Sequence, residues 1–546
     1  MKKVLLVSAL IVAVVFSTFA TGGAERATAA AQPVRLVYNM VTDLGGWAPS
    51  GACGNNQSEI NYAIFEGLIK EAPNGAIVPG VAERWEVSAD GKTWTFYLRD
   101  NARWSDGQPV TAHDFEFSWR HAITPGLDSC AIGNYSTIVN ATAHVRGEVS
   151  FDQVGIKALD DRTFQVTTTD QVPYFPQIIL HQSFLPVRKD LVGDDLTGEW
   201  ILNPEKWISN GPFVMTDFRL QDRFVMRRNP EYWNRDSVQI DELVYRIIAN
   251  ANTSYAAFQT GELDVIWTMP TAVMERLLTE GVAVSNPAVR SYWLAINQFP
   301  EHASENVKRH LWDPRVREAM ALAIDRVAIV ESVLKNGEIP ADGYIPEMIR
   351  DWDNETGWVE NRDPYFPVEG DVARARQLLA EAGYPNGQGL PEFEFLTNNV
   401  DRDQAIALAV QDMWQQVGIR VRLNIKDTPT FATDRGEARF EITRGGLGGM
   451  NDPIGLLGAY ASSNPLHMLW GWKSAEYDAL HDRALATVDV RERFAIMRQM
   501  EDMLMAEFNM IPLTYMTVVM ATQRDVRGVW TTGRGAFRFE NAYRER

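Results

Sequence analysis

The chain has 546 residues, 45% of them hydrophobic, and its 71 acidic against 52 basic side chains give a formal net charge of -19. Such a length suggests roughly two to four domains with packed cores, and the apolar share excludes a wholly disordered chain. The acidity repels phosphate backbones and anionic lipid headgroups, so no nucleic-acid partner is expected and a soluble monomer is.

At the N-terminus, Lys2 and Lys3 precede an apolar run from Val4 to about Ala20. Ala27-Thr28-Ala29 and Ala29-Ala30-Ala31 then offer the small-x-small pattern of a signal-peptidase site. The apolar run, about 17 residues, is at the short limit for a membrane span. Residues 1–31 are therefore read as a cleaved export signal, with no nearby cysteine to carry a lipid anchor. The mature chain is expected in the periplasm or outside the cell. Its two cysteines, Cys53 and Cys130, favour one disulfide over two free thiols in an oxidising compartment. They are too few for a zinc site.

The coarse pattern is mixed α/β. Trp85 to Val87 and Thr93 to Arg99 flank Asp90-Gly91 as a hairpin, and Phe151 to Thr168 repeats the style around Asp160-Asp161. Residues 66–185 thus read as a small β-rich unit. Thr253 is predicted to cap a helix over 254–260, which Gly261 ends before a strand over 262–267. Asp313-Pro314 opens a longer helix, and Asp371 starts another that stops before Gly383. A helix over 403–417 ends at Gly418. In the strand that follows, Ile419, Val421, Leu423 and Ile425 alternate with Arg420, Arg422, Asn424 and Lys426. Helix-then-strand units of this kind indicate an α/β domain over about 290–509.

Catalytic and cofactor motifs are not found. Gly91-Lys92-Thr93 resembles the end of a phosphate loop, but the glycine that loop needs is Glu86. Gly445 to Gly449 lacks dinucleotide spacing and is read as backbone that approaches a ligand closely. The eight histidines are scattered, and no nucleophile elbow occurs. No catalytic residue, no metal site and no cofactor are expected.

A composite signature runs from Pro79 to Trp119, with Asp90-Gly91-Lys92-Thr93-Trp94 and Trp104-Ser105-Asp106-Gly107-Gln108-Pro109 at its centre. Further patterns follow in order: Asn229-Pro230-Glu231-Tyr232-Trp233, Gly261-Glu262-Leu263-Asp264, Ala323-Ile324-Asp325-Arg326 and Leu379-Ala380-Glu381-Ala382-Gly383-Tyr384. In these the chain resembles the family 5 extracellular solute-binding proteins, the oligopeptide- and dipeptide-binding components of ABC importers. The resemblance implies a two-lobe periplasmic-binding-protein fold with two hinge crossings and an extra β-rich domain inserted in the first lobe. Lobe one would comprise 32–65, 186–288 and 510–546, and lobe two 289–509. The crossings would fall near Val289 to Trp293 and Pro512 to Met516. The implied partners are an oligopeptide or other small solute and an inner-membrane ABC permease complex.

The same resemblance implies the ligand-binding residues. Arg435 and Arg444 match two arginines that meet ligand carboxylates, a role suited to guanidinium forks, and Arg444 is expected to carry the larger share. Asn398 matches a cleft asparagine, and Trp267 and Thr268 fall where polar contacts are offered. Trp293 and Tyr515 would be aromatic walls at the crossings, and Gly446, Leu447 and Gly448 would bring backbone to the ligand. The segments at Cys53 and Ala131 would both line side-chain pockets, which implies a Cys53–Cys130 bridge at the cleft rim.

One departure stands out. Peptide binders in this family carry an aspartate for the ligand's α-ammonium, where this chain has Gly449 or Met450. Asp452 is the nearest substitute. If it stays within its own turn, a free ligand N-terminus is not required. The missing acid and the 17 tryptophans keep a non-peptide solute such as an oligosaccharide as the alternative. A secreted hydrolase is the remote one.

Overall fold

The computed structural model describes residues 33–545 apart from 43, 45, 52–53, 128–131 and 465–469. The export signal and both cysteines, with their expected bridge, lie outside the described residues.

Among the described residues an 11-stranded sheet forms the spine. Its centre is an antiparallel pair of long strands, Ala283–Ile296 and Met510–Thr522. On one side follow Ile442–Gly448, Glu392–Asn398 and Arg420–Lys426, the last two joined in parallel through the helix Asp401–Gln416. On the other follow Val265–Ile266, Arg35–Met40, Glu242–Ile247, Arg223–Arg228 and Phe213–Arg219.

The two halves of the long strands belong to different cores. Ala283, Val519 and Ala521 pack with Val37, Val244 and Phe258. Val289, Tyr292 to Ile296, and Met510 to Leu513 pack instead with Val316, Trp358 and Trp414. The register shifts between Pro287 and Ser291, where one core gives way to the other. Pro287 cannot donate a ladder hydrogen bond, so the pairing is weakest at this point. This is the two-lobe periplasmic-binding-protein arrangement, with both crossings in adjacent strands.

The β-rich unit forms as its sequence pattern predicts. Ala82–Val87, Thr93–Leu98, Thr163–Thr167 and Ile156–Ala158 make a four-stranded sheet. Trp94, Phe96 and Leu98 are buried on one face, with Phe96 opposite Phe164. Gly91 and Gly107 take φ of +70° and +86°, the left-handed region that the two Asp-Gly turns require. Thr111 and Asp114 close a capping box on the helix Ala112–Ala122, and Trp104 donates its indole N–H to the same carboxylate. The signature is a folding device.

Several boundaries move. The helix predicted from 254 spans Ala251–Gln259 and is capped by Asn250, whose side chain accepts the Thr253 N–H. Asparagine caps as well as threonine does, and it stands three residues earlier. The strand predicted over 262–267 is confined to Val265–Ile266. Asp313 and Asp371 cap their helices as expected, accepting from the Arg315 and Arg374 N–H groups.

Gly445 shows how tightly the second lobe packs against its hinge strand. It pairs with Trp293, and a Cβ there would stand 2.5 Å from the indole. Gly445→Ala is therefore expected to destabilise the fold by about 1–3 kcal/mol through overpacking. Thermal unfolding reads this directly; an unchanged melting temperature would mean that the Trp293 ring can move aside.

Candidate functional site

The site grows out of the strand Ile442–Gly448 and the helix Thr428–Gly436. Asp427 caps that helix by accepting the Thr430 N–H at 3.0 Å, which fixes Phe431 inward at 2% exposure. One helical turn on, Arg435 falls on the same face, with its guanidinium carbon 5.2 Å from the Phe431 ring centre. Arg444 approaches the same ring from the strand, at 4.4 Å. Two cations therefore share one aromatic platform.

Their partners differ. Arg444 Nη2 lies 3.2 Å from Asp403 Oδ2, in the first turn of the helix Asp401–Gln416. Asp403 in turn accepts from Arg402 Nη1 at 3.1 Å. Arg435 pairs with no carboxylate among the described residues, and the Nε groups of both arginines are buried without an acceptor. Burial and the neighbouring Arg444 charge push the Arg435 guanidinium down. Two half-buried cations with one acid between them make a site that lacks an anion.

Both arginines line a small enclosed pocket with Ala295, Gly445, Gly446, Leu447 and Trp470. Trp293, fully buried, backs it through Gly445 and stands 6.0 Å from Trp470. Further along the same strand a cavity of about 650 Å³ opens, lined by Gly448, Gly449 and Met450. Its other walls include Glu59, Trp267, Arg290, Met516 and Arg534. The first pocket ends at Leu447 and the cavity begins at Gly448 of the same strand, and the cavity is walled by residues on both sides of the crossing.

Arg435, Arg444, Gly446 and Leu447 thus line the smaller pocket, and Gly448 and Trp267 line the larger cavity. Trp267 presents an indole N–H that makes no hydrogen bond. Thr268 is half-buried and lines neither pocket. Asn398, 1% exposed, ends its strand with Oδ1 unpartnered and lies outside both linings. Tyr515 is not offered to the groove. Its hydroxyl donates to Asp342 Oδ1 at 2.8 Å, and it is held inside the second lobe's own polar network with Arg362.

Asp452 is taken as well. Its two oxygens accept from Arg493 Nη1 and Nη2 at 2.8 and 2.7 Å, and one also caps Ile454 N–H. The pair is nearly fully buried, with the Tyr174 ring of the β-rich unit 5.3 Å from the guanidinium carbon. Both Asp452 oxygens are committed to the fold, which removes it as a ligand anchor.

Sequence reasoning missed Asp403, Glu59, Trp470 and Arg493. Only Arg493 leaves a signal, an arginine followed by Met497 and Met500 on the buried face of the helix Val490–Glu507. Among the described residues no cluster of three histidine, cysteine or acidic side chains could hold a metal ion, and no helix is long and apolar enough to cross a membrane.

With this geometry in hand, residues 76–466 match the bacterial extracellular solute-binding proteins, family 5 Middle. The periplasmic oligopeptide-binding protein OppA of Salmonella typhimurium is 31% identical over 525 residues, covering 94% of this chain and 93% of that one. The chain belongs to the family 5 extracellular solute-binding proteins. In structure it is similar to the murein tripeptide-binding protein MppA in its unliganded open form, with TM-score 0.81 at 27% identity over 94% of this chain and 98% of that one. A second structure, of the Escherichia coli MppA, gives 0.67, covering 94% and 99% of the two chains at 27% identity. A Haemophilus influenzae OppA complexed with the peptide RPPGFSPFR gives 0.66 at 26% identity, covering 94% and 99%.

Asp452→Asn should therefore act on stability. Leaving Arg493 buried beside a neutral amide is expected to cost about 3–5 kcal/mol. Denaturant unfolding of the variant checks it. A stable variant that has lost ligand binding would return Asp452 to the groove.

Proposed function

We propose that this chain is the exported capture component of an ABC importer. It takes up oligopeptides between two closing lobes and hands them to an inner-membrane permease complex, working as a periplasmic monomer without catalysis. In this reading residues 1–31 are the cleaved signal. Lobe one is 32–65, 186–288 and 510–546, with the β-rich domain 66–185 inserted, and lobe two is 289–509.

The observation that carries it is the arginine pair on Phe431. An unpaired guanidinium beside a half-neutralised one calls for a carboxylate, which every peptide supplies at its C-terminus. An oligosaccharide without an acidic group would leave that charge uncompensated. The backbone of Gly446 to Gly449 then runs as an extended edge beside the ligand. Trp267 and the other cavity walls give side chains room without demanding particular ones.

We also propose the opposite ranking of the two arginines from the one expected of the sequence. Asp403 already holds Arg444, whereas Arg435 has no acid of its own, so the carboxylate should gain most from Arg435. Calorimetry with alanine peptides of about three to five residues tests this. Arg435→Ala is expected to lose about 2–5 kcal/mol of binding, and Arg444→Ala less. A C-terminal amide should weaken wild type in the same way as Arg435→Ala does. Equal binding of acid and amide by wild type would contradict the assignment.

A further inference from the structure

Glu59 has no partner that explains its burial. It sits on the helix Asn55–Ile64, is 2% exposed, and lines the 650 Å³ cavity together with Gly448 to Met450. Tyr38 donates its hydroxyl to Oε2 at 3.1 Å, and the Phe537 backbone N–H also serves the carboxyl. The Tyr245 hydroxyl reaches only the Glu59 carbonyl, at 3.4 Å. Among the described residues no lysine, arginine or histidine pairs with it. Burial accordingly pushes its pKa up to about 8, which favours the protonated carboxyl at neutral pH.

The other charges near it point elsewhere. Arg290 and Arg534 line the same cavity but are exposed, and the charge of Arg534 acts on Tyr62, Glu71 and His181. Arg538 is matched by Glu540. Glu71, another raised carboxyl, accepts from Gly533 N–H, a backbone group of the same cavity wall. Glu59 is therefore the acid of this cavity without a cation.

From Arg444 to Gly449 the chain takes five extended steps, about 16 Å at roughly 3.3 Å each. An extended peptide of about five residues spans a similar length between its two charged ends.

We propose that Glu59 is a specificity-determining residue of this groove, receiving the primary ammonium at the amino end of an oligopeptide whose carboxylate rests on Arg435. The assignment rests on the peptide-binding reading. It supplies from the first lobe the acid that Gly449 and Met450 do not provide from the second, and a free N-terminus becomes a requirement rather than an option. Binding is then coupled to a proton. The ammonium keeps its three protons, the Glu59 carboxyl gives up its own to solvent, and the resulting carboxylate accepts from the ammonium.

The test uses alanine peptides of three to five residues, free and N-acetylated, with calorimetry at pH 6.5 in buffers of different ionisation enthalpy. Wild type is expected to release close to one proton on binding the free peptide and none on binding the acetylated one. Acetylation should weaken binding about tenfold or more. Glu59→Gln, which keeps the hydrogen-bonding shape, should lose the proton release and about the same affinity for the free peptide, while binding the acetylated one as wild type does. That variant also separates Glu59 from Glu71 as the source of the proton. Proton release that survives in Glu59→Gln, or equal wild-type affinity for free and acetylated peptide, would overturn the assignment while leaving peptide capture standing. Failure of wild type to bind any of the peptides would overturn peptide capture, and this assignment with it.

Discussion

Everything in this molecule depends on the antiparallel pairing of Ala283–Ile296 with Met510–Thr522. Each strand is buried at both ends, but in different company, and each core holds its own end rigid. Bending is therefore confined to the stretch between them, where the register slips and Pro287 removes a donor. A hinge built this way needs no flexible linker. It lets two closely packed bodies turn while the sheet between them stays hydrogen-bonded. The β-rich unit also touches the second lobe, through Asn451 Nδ2 on Gly75 O and Arg350 Nε on Asn74 O, at 2.7 Å each.

The groove beside that hinge is arranged as separated, incompletely matched charges. At one end two guanidinium groups share a ring, and only Arg444 has a carboxylate, Asp403. At the other a carboxyl is pushed towards its neutral form by burial. Each is costly in the empty protein, because a buried polar group without its counterpart loses hydration and gains little. A zwitterionic, extended ligand matches both ends at once. The glycine-rich strand between them leaves backbone rather than side chains as the common surface, which suits ligands of varied sequence.

Much of the fold was legible because its local signals agree with one another. Asp-Gly turns, capping aspartates at 313 and 371, and the Trp94-Phe96-Leu98 alternation each specify one geometry and receive it. The arginine pair could be located through family resemblance, since a lone arginine has no pattern of its own. The partners were not legible. Asp403 meets Arg444, and Asp452 meets Arg493, 41 positions away in both cases. Only the tertiary fold decides which of many acids stands beside which cation. Tyr515 and Asp452 were misplaced for that reason: both are polar and near the groove in sequence, yet their hydrogen bonds are satisfied within the second lobe. Glu59 directly precedes Ile60 on a helix whose apolar stripe is Ile60, Ala63 and Ile64, so its own burial follows from packing and not from that stripe.

Small-angle X-ray scattering of the protein with and without a saturating alanine peptide tests the central claim, that two lobes close about the paired strands on a peptide. The account predicts a smaller radius of gyration in the saturated sample, with a scattering profile that moves towards that of the closed, peptide-bound shape. An unchanged radius at saturation, with binding confirmed by calorimetry on the same sample, would contradict it.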